Sequence, residues 1–191
     1  AQNHHVAPVH PDYADVGPTP YDPEAALALM TEAGMEGFEH ELVTLDDGLT
    51  MRTGDAAAAM LRDAGFKVNR TVLPGSRFWA EWKTYPLSVT EWNHRPLGIQ
   101  TLSLAYRSGA VWNETGYANP AFDAALDRAL TIADAAERRA VMAELETMLR
   151  EDAVIVQPYW RSLVRHYRPE VVGAEMHPSF AIHLYALGLA E

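Results

Sequence analysis

One local pattern occurs twice in the first half of this 191-residue chain, and it restricts the kind of sheet the chain can build. In the first copy Asp22 is a good N-cap and Pro23 takes the first helical position. Ala25 to Ala33 is dense in strong helix formers, and Gly34 stops the run. A strand is expected near Phe38 to Leu45. In the second copy Met51 to Ala64 reads as helix, Gly65 as its left-handed stop and Phe66 to Leu73 as strand. The helix ends LMTEAG and MLRDAG match. Successive parallel strands need a helix-length connection between them, so two helix–glycine–strand units predict parallel strands joined by right-handed crossovers. The fold class expected is α/β, a mixed sheet flanked by helices.

The second half carries the best-marked helices. Asn119 caps and Pro120 opens a helix whose Phe122, Leu126 and Leu130 recur at spacing four, with Asp123, Asp127 and Arg128 facing elsewhere. Asp134 and Glu137 resemble a capping box. In the helix that follows, Val141, Leu145, Met148 and Leu149 are the expected buried stripe, and Arg138, Arg139, Glu144 and Glu146 are left for solvent. Gly98 to Arg107 also suits a helix. Val154 to Tyr159 and Leu163 to Tyr167 are short strand candidates, the second ended by Arg168-Pro169.

Composition mainly excludes. A hydrophobic content of 48% supplies one core, and one domain is the default. A formal charge of -11 argues against nucleic acid or an anionic membrane surface as partner, since either would repel this field. The absence of cysteine removes disulfides, zinc–thiolate sites and thiol nucleophiles together. Residues 1–21 are rich in proline and histidine and lack an apolar h-region. They read as an extended surface segment, not as a signal peptide or a membrane helix.

The stretch Thr90 to Asp123 has a composition unlike the rest. Trp92, Asn93, Arg95, Trp112, Asn113 and Tyr117 combine flat apolar faces with a few directional donors, which is how concave sites for small polar molecules are lined. Trp92 and Trp112 either stack on a ligand or fill the core. The asparagine after each favours the ligand, because an amide is seldom left without partners in an apolar place.

The order WN-Pro, LAYRSG, WNETGYANPAFDAALDRAL and AERRAVMAELETMLREDAVIVQPYW, preceded by YDPEAALALMTEAGM, resembles the C-terminal part of extracellular solute-binding protein family 5. These are the peptide, opine and nickel receptors of bacterial ABC importers. The resemblance implies a type II periplasmic-binding-protein clamp, with residues 22–168 as its second lobe and 169–191 as a return toward a first lobe absent from this chain. It also implies a periplasmic location, docking on an inner-membrane ABC permease, no cofactor, and clamp closure around a peptide- or opine-like solute. In dipeptide-binding relatives an aspartate shortly after the tryptophan matching Trp92 pairs with the ligand's ammonium. Here that stretch is NHRP, and Arg95 lies about where the aspartate would. The implied sign reversal suits a ligand carboxylate or phosphate. Arg95 pairing with Glu91 or Glu114 is the other open reading.

Two other chemistries compete with binding. His4, His5 and His10 lie close together but have neither a carboxylate between them nor an i, i+4 helical spacing, so no metal site is assigned. His94 is a pocket candidate beside Arg95; His166, His177 and His183 read as surface or supporting residues. A hydrolase using a pair from Glu81, Glu91 and Glu114 is the alternative function. No nucleophile elbow, HExxH, phosphate loop or dinucleotide fingerprint accompanies those carboxylates.

Overall fold

The two repeats build a parallel sheet in the computed structural model, which describes residues 1–190. Helix α1 (Pro23–Glu32) is capped by the Asp22 carboxylate, which accepts from the Ala25 N–H. Strand β1 (Glu39–Leu45) follows, then α2 (Thr50–Asp63) and β2 (Lys67–Leu73). Gly34 and Gly65 both have positive φ, the left-handed stop that each helix end requires. Strands β1 and β2 pair in parallel from Glu39 opposite Lys67 to Leu45 opposite Leu73. After α3 (Gly75–Glu81), the two-residue β3 (Ser88–Val89) joins the free side of β1, also in parallel, giving the order β2-β1-β3.

Strand β1 is central, and Leu42, Val43 and Thr44 are buried in succession, as a strand covered on both faces demands. Alternation sends their side chains to opposite faces. Leu42 packs with Ala58 of α2 and Val68, and Val43 packs with Leu73 and with Phe78 of α3. Residues 19–92, which hold this sheet, form one compact unit; residues 1–18 and the chain from Asn93 onward form the other. The division into 1–21, 22–168 and 169–191 drawn from the sequence does not coincide with these units.

The second unit contains α4 (Gly98–Ala105), α5 (Pro120–Thr131) and α6 (Ala135–Glu151). Asn119 caps α5 by accepting from the Ala121 and Phe122 N–H groups, and Asp134 caps α6 in the same way through Ala136 and Glu137. The buried face of α5 is Phe122, Ala125, Leu126 and Ala129. Leu130, expected on that face, is exposed: spacing-four steps drift around a 3.6-residue helix, and the alanines complete the stripe instead. On α6 the buried set is Arg138, Met142, Leu145, Glu146 and Leu149, so two charged residues assigned to solvent lie inside.

The first residues explain why. Of the segment 1–21, expected as an extended surface run, residues 1–18 pack into the second unit through turns around Ala7–Tyr13 and bury His4, Val6, His10, Asp12 and Ala14, while residues 18–21 are exposed. The stretches 154–159 and 163–167 are not strands. Pro158 has no N–H to donate, the Gln157 N–H goes to the Asn3 side chain, and Arg165 donates to the carbonyls of Ala174, Glu175 and Ala181. An antiparallel pair forms later, between β4 (Val171–Val172) and β5 (Gly188–Leu189). A Cβ at Gly173 would lie 2.0 Å from the Ala186 carbonyl, so only glycine permits this approach.

Candidate functional site

In the second unit the aromatic segment becomes a loop built on its own amides. Asn113 is buried, and its Nδ2 donates to the carbonyls of Arg107 and Tyr117 at 3.1 and 2.8 Å. Its Oδ1 accepts from the Thr115 hydroxyl at 3.0 Å, and that hydroxyl in turn accepts from the Tyr117 N–H. Gly109 and Gly116 supply the positive φ angles. The Ser108 N–H donates to Asp123 of α5, holding that carboxyl below its ordinary range once the opposing effect of burial is overcome. The loop is thereby tied to a helix by side chains that satisfy backbone groups.

Tyr117 anchors the other end. Its hydroxyl donates to Asp152 at 2.6 Å and accepts from Asn119 Nδ2 at 3.0 Å, while its ring meets Phe122 edge-on. Burial and the neighbouring Asp152 push the phenol up to about 12, and the same bonds hold the Asp152 carboxyl down. Asn113 and Tyr117 therefore act on the loop's shape, with their polar atoms already bonded within the protein.

Trp112, at the loop's tip, remains 45% exposed. The Arg95 guanidinium carbon lies 5.7 Å from the centre of its ring, a cation–π arrangement that orients a planar fork over a flat apolar face. Arg95 itself is half-buried and Asn93 is exposed. Beside Arg95, the His94 ring stacks on buried His10, with centroids 4.8 Å apart and planes 9° from parallel. Burial lowers the pKa of both imidazoles. Trp92 is the last residue of the first unit and is half-buried. Asn93, Arg95, Trp112, Asn113 and Tyr117 belong to the second unit.

The segment carrying Arg95 leads into α4, whose start is held from a distance. Asp12 accepts from the Gly98 and Ile99 N–H groups at 2.9 and 3.2 Å and from Arg138 Nη1 at 3.1 Å. Arg138 also donates to the carbonyls of Ala129, Ile132 and Ala133 at the end of α5. One ion pair thus caps the N-terminus of one helix and the C-terminus of another. Sequence reasoning missed Asp12 and Arg138, although Arg138, Met142, Leu145 and Leu149 follow one helical stripe in which an arginine stands out.

His4, His5 and His10 each bond a different partner. His4 Nε2 meets Gln2, His5 Nδ1 meets the Tyr106 hydroxyl at 2.9 Å, and His10 Nδ1 meets the Ala7 backbone. His177 bonds Ser179, His183 stacks on Tyr185, and His166 is exposed. Among the described residues no group of three His, Asp or Glu is placed to hold a metal.

The family model described as bacterial extracellular solute-binding proteins, family 5 Middle, matches residues 1–114. The chain is similar to the probable deoxycholate-binding periplasmic protein YgiS of Escherichia coli (strain K12), with 26% identity over 106 residues, 51% of this chain and 20% of that protein. Among solved structures, it is similar to clavulanic acid biosynthesis oligopeptide binding protein 2, with a TM-score of 0.84 and 22% identity over 100% of this chain and 38% of the other. It is also similar to a dipeptide binding protein from Pseudoalteromonas sp. SM9913 in complex with Met-Leu, with a TM-score of 0.72 and 20% identity over 96% of this chain and 39% of the other. The fold is that of the type II periplasmic binding proteins, and the chain spans well under half the length of these relatives.

Proposed function

The chain belongs to the family 5 bacterial extracellular solute-binding proteins, and from that membership we propose that it is part of the solute receptor of an ABC importer. The receptor works in the periplasm, captures a small polar solute of peptide or opine type, and delivers it to an inner-membrane permease. It binds its solute without turning it over. Residues 22–168 carry this chain's share of the clasp, with 1–21 and 169–191 as supporting segments, and a further lobe of the whole protein supplies the opposing contacts.

The observation that supports an anionic ligand group is the Arg95 guanidinium over the exposed Trp112 ring. A fork held over an aromatic face is pre-oriented to take both oxygens of a carboxylate, while the indole offers a stacking surface beside it. Within the same unit Asn93 extends the wall, and Asn113 and Tyr117 hold its loop. Contacts on both sides of the solute bias an open–closed equilibrium toward the closed clamp.

The test is a thermal-shift screen of the whole receptor with dipeptides, opines, sugar acids and nickel, since a ligand of the native state raises the melting temperature by mass action. Stabilisation by carboxylate-bearing solutes is the expected result. Stabilisation by nickel or cationic peptides alone would remove Arg95 from the ligand site.

A further inference from the structure

We propose that Glu146 and His4 form an uncharged carboxylic acid–imidazole latch, which holds the threaded segment 1–18 in place and is released when either partner becomes charged. The two side chains are 0% and 1% exposed, one in the middle of α6 and the other on the segment that α6 covers. Glu146 Oε2 lies 3.6 Å from His4 Nδ1 and has no hydrogen-bond partner.

The hydrogen bonds around His4 assign its tautomer. Gln2 Nε2 donates to Asp15 at 2.7 Å, which fixes the orientation of the amide and turns Oε1 toward Tyr13 and His4. That oxygen accepts from the Tyr13 hydroxyl at 2.9 Å and lies 3.0 Å from His4 Nε2. An amide oxygen can only accept, so Nε2 carries the ring proton. A neutral ring then leaves Nδ1 bare, and the Val6 N–H approaches it at 3.4 Å, as it would a lone pair.

Nδ1 therefore faces Glu146 Oε2 as an acceptor. A carboxylate oxygen there would set lone pair against lone pair, whereas a protonated Oε2 has a ready acceptor. The remaining possibility, an imidazolium–carboxylate pair, would place two ions out of water, and such pairs draw together to about 2.8 Å. At 3.6 Å, with Oε2 unbonded, the contact is looser than such a pair and is not a closed hydrogen bond either, so the neutral assignment rests on the tautomer, which presents a lone pair to Oε2, and on the burial of both groups.

The surroundings favour the neutral form. Glu146 accepts from the Ala14 N–H at 3.4 Å on Oε1 and feels the charge of the Asp12 carboxylate and the nearby Tyr13 phenol. His4 feels Arg150 of α6, the amino group of Ala1, Asp15 and His5. Burial, followed by Asp12, pushes the Glu146 carboxyl up to about 9 against the opposing Ala14 bond. Burial, followed by Arg150, pushes His4 down to about 4. Between those values neither partner carries charge.

The test uses the intact protein and Glu146→Gln, which keeps the shape and the donor but cannot ionise. Wild-type protein at neutral pH is expected to show the infrared carbonyl band of a protonated carboxylic acid, absent from Glu146→Gln. The variant should match the wild type in melting temperature near pH 5 and exceed it increasingly toward pH 9. Protection of the Val6 and Ala14 amides, taken relative to their base-catalysed intrinsic exchange, should fall in alkali in the wild type and hold in Glu146→Gln. A missing band, a pH-independent difference in melting temperature, or a variant that fails to fold at neutral pH would each overturn the latch.

Discussion

Asp12 and Arg138 are 126 residues apart in sequence and meet at 3.1 Å in a site where their side chains are 0% and 7% exposed. The pair joins a proline-rich segment to α6 and holds the start of α4, the helix that follows Arg95. Replacing Asp12 with Ala leaves the Gly98 and Ile99 N–H groups without that acceptor and a buried guanidinium that keeps its carbonyl partners but has lost its counter-charge. A loss of about 3–5 kcal/mol is expected from urea denaturation. Adding Arg138→Met to that variant should restore part of the loss, because the uncompensated charge goes with it.

Arg95→Ala should weaken binding of carboxylate-bearing solutes by about 10- to 100-fold, the worth of about 1.5–3 kcal/mol for hydrogen bonds to a charged group. Neutral solutes should bind unchanged. Arg95→Lys should recover little, since a point charge neither forks onto a carboxylate nor lies flat over Trp112. Isothermal titration against matched acid and amide solutes is the direct comparison.

Gly98→Ala probes how closely the first segment approaches α4. A Cβ there would lie 2.4 Å from Val6 Cγ1 and 3.2 Å from Asp12 Oδ1. Overpacking of this kind costs about 1–3 kcal/mol, readable as a fall in melting temperature. Combined with Val6→Ala, the cost should be less than the sum of the single variants, because the second substitution clears the space the first needs.

Tyr117→Phe removes the hydroxyl that bonds Asp152. The Asp152 carboxyl is lowered in the folded protein, first by Tyr117 and then by Asn119. Its stabilisation is therefore present above the unfolded carboxyl pKa and lost as pH falls through the folded value. The stability gap between wild type and variant should be open at neutral pH and close on acidification, followed by urea midpoints. A gap constant across that range would mean the hydroxyl acts through packing alone.

The sheet was legible because its signals are local. Asp22, Gly34 and Gly65 punctuate the repeat, and each does in the structure what its residue type favours. The caps Asn119 and Asp134 were read for the same reason. Residues 1–21 were misread because their composition is that of a surface loop, while their burial is decided by groups more than 80 positions away. Asp12 serves helices that it does not adjoin, and no periodicity announces that. Glu146 was assigned to solvent on charge alone, though it shares a stripe with Met142, Leu145 and Leu149. In the candidate wall, the unusual mixture of residues was visible, but which amides close the loop and which side chains stay open depends on the turn geometry around Gly109 and Gly116.

The packing of residues 1–18 with the chain beyond Asn93 also fixes an order of events. Residues 19–92 hold all three strands of the parallel sheet, so that sheet needs none of the chain beyond Trp92. The opening segment must wait until α6 has been synthesised, because Arg138, Arg139 and Glu146 are the groups that receive it. Contacts this distant in sequence close slowly. Until α6 has been made, these residues lack the groups that receive them, and a helix 126 to 132 positions downstream completes their packing.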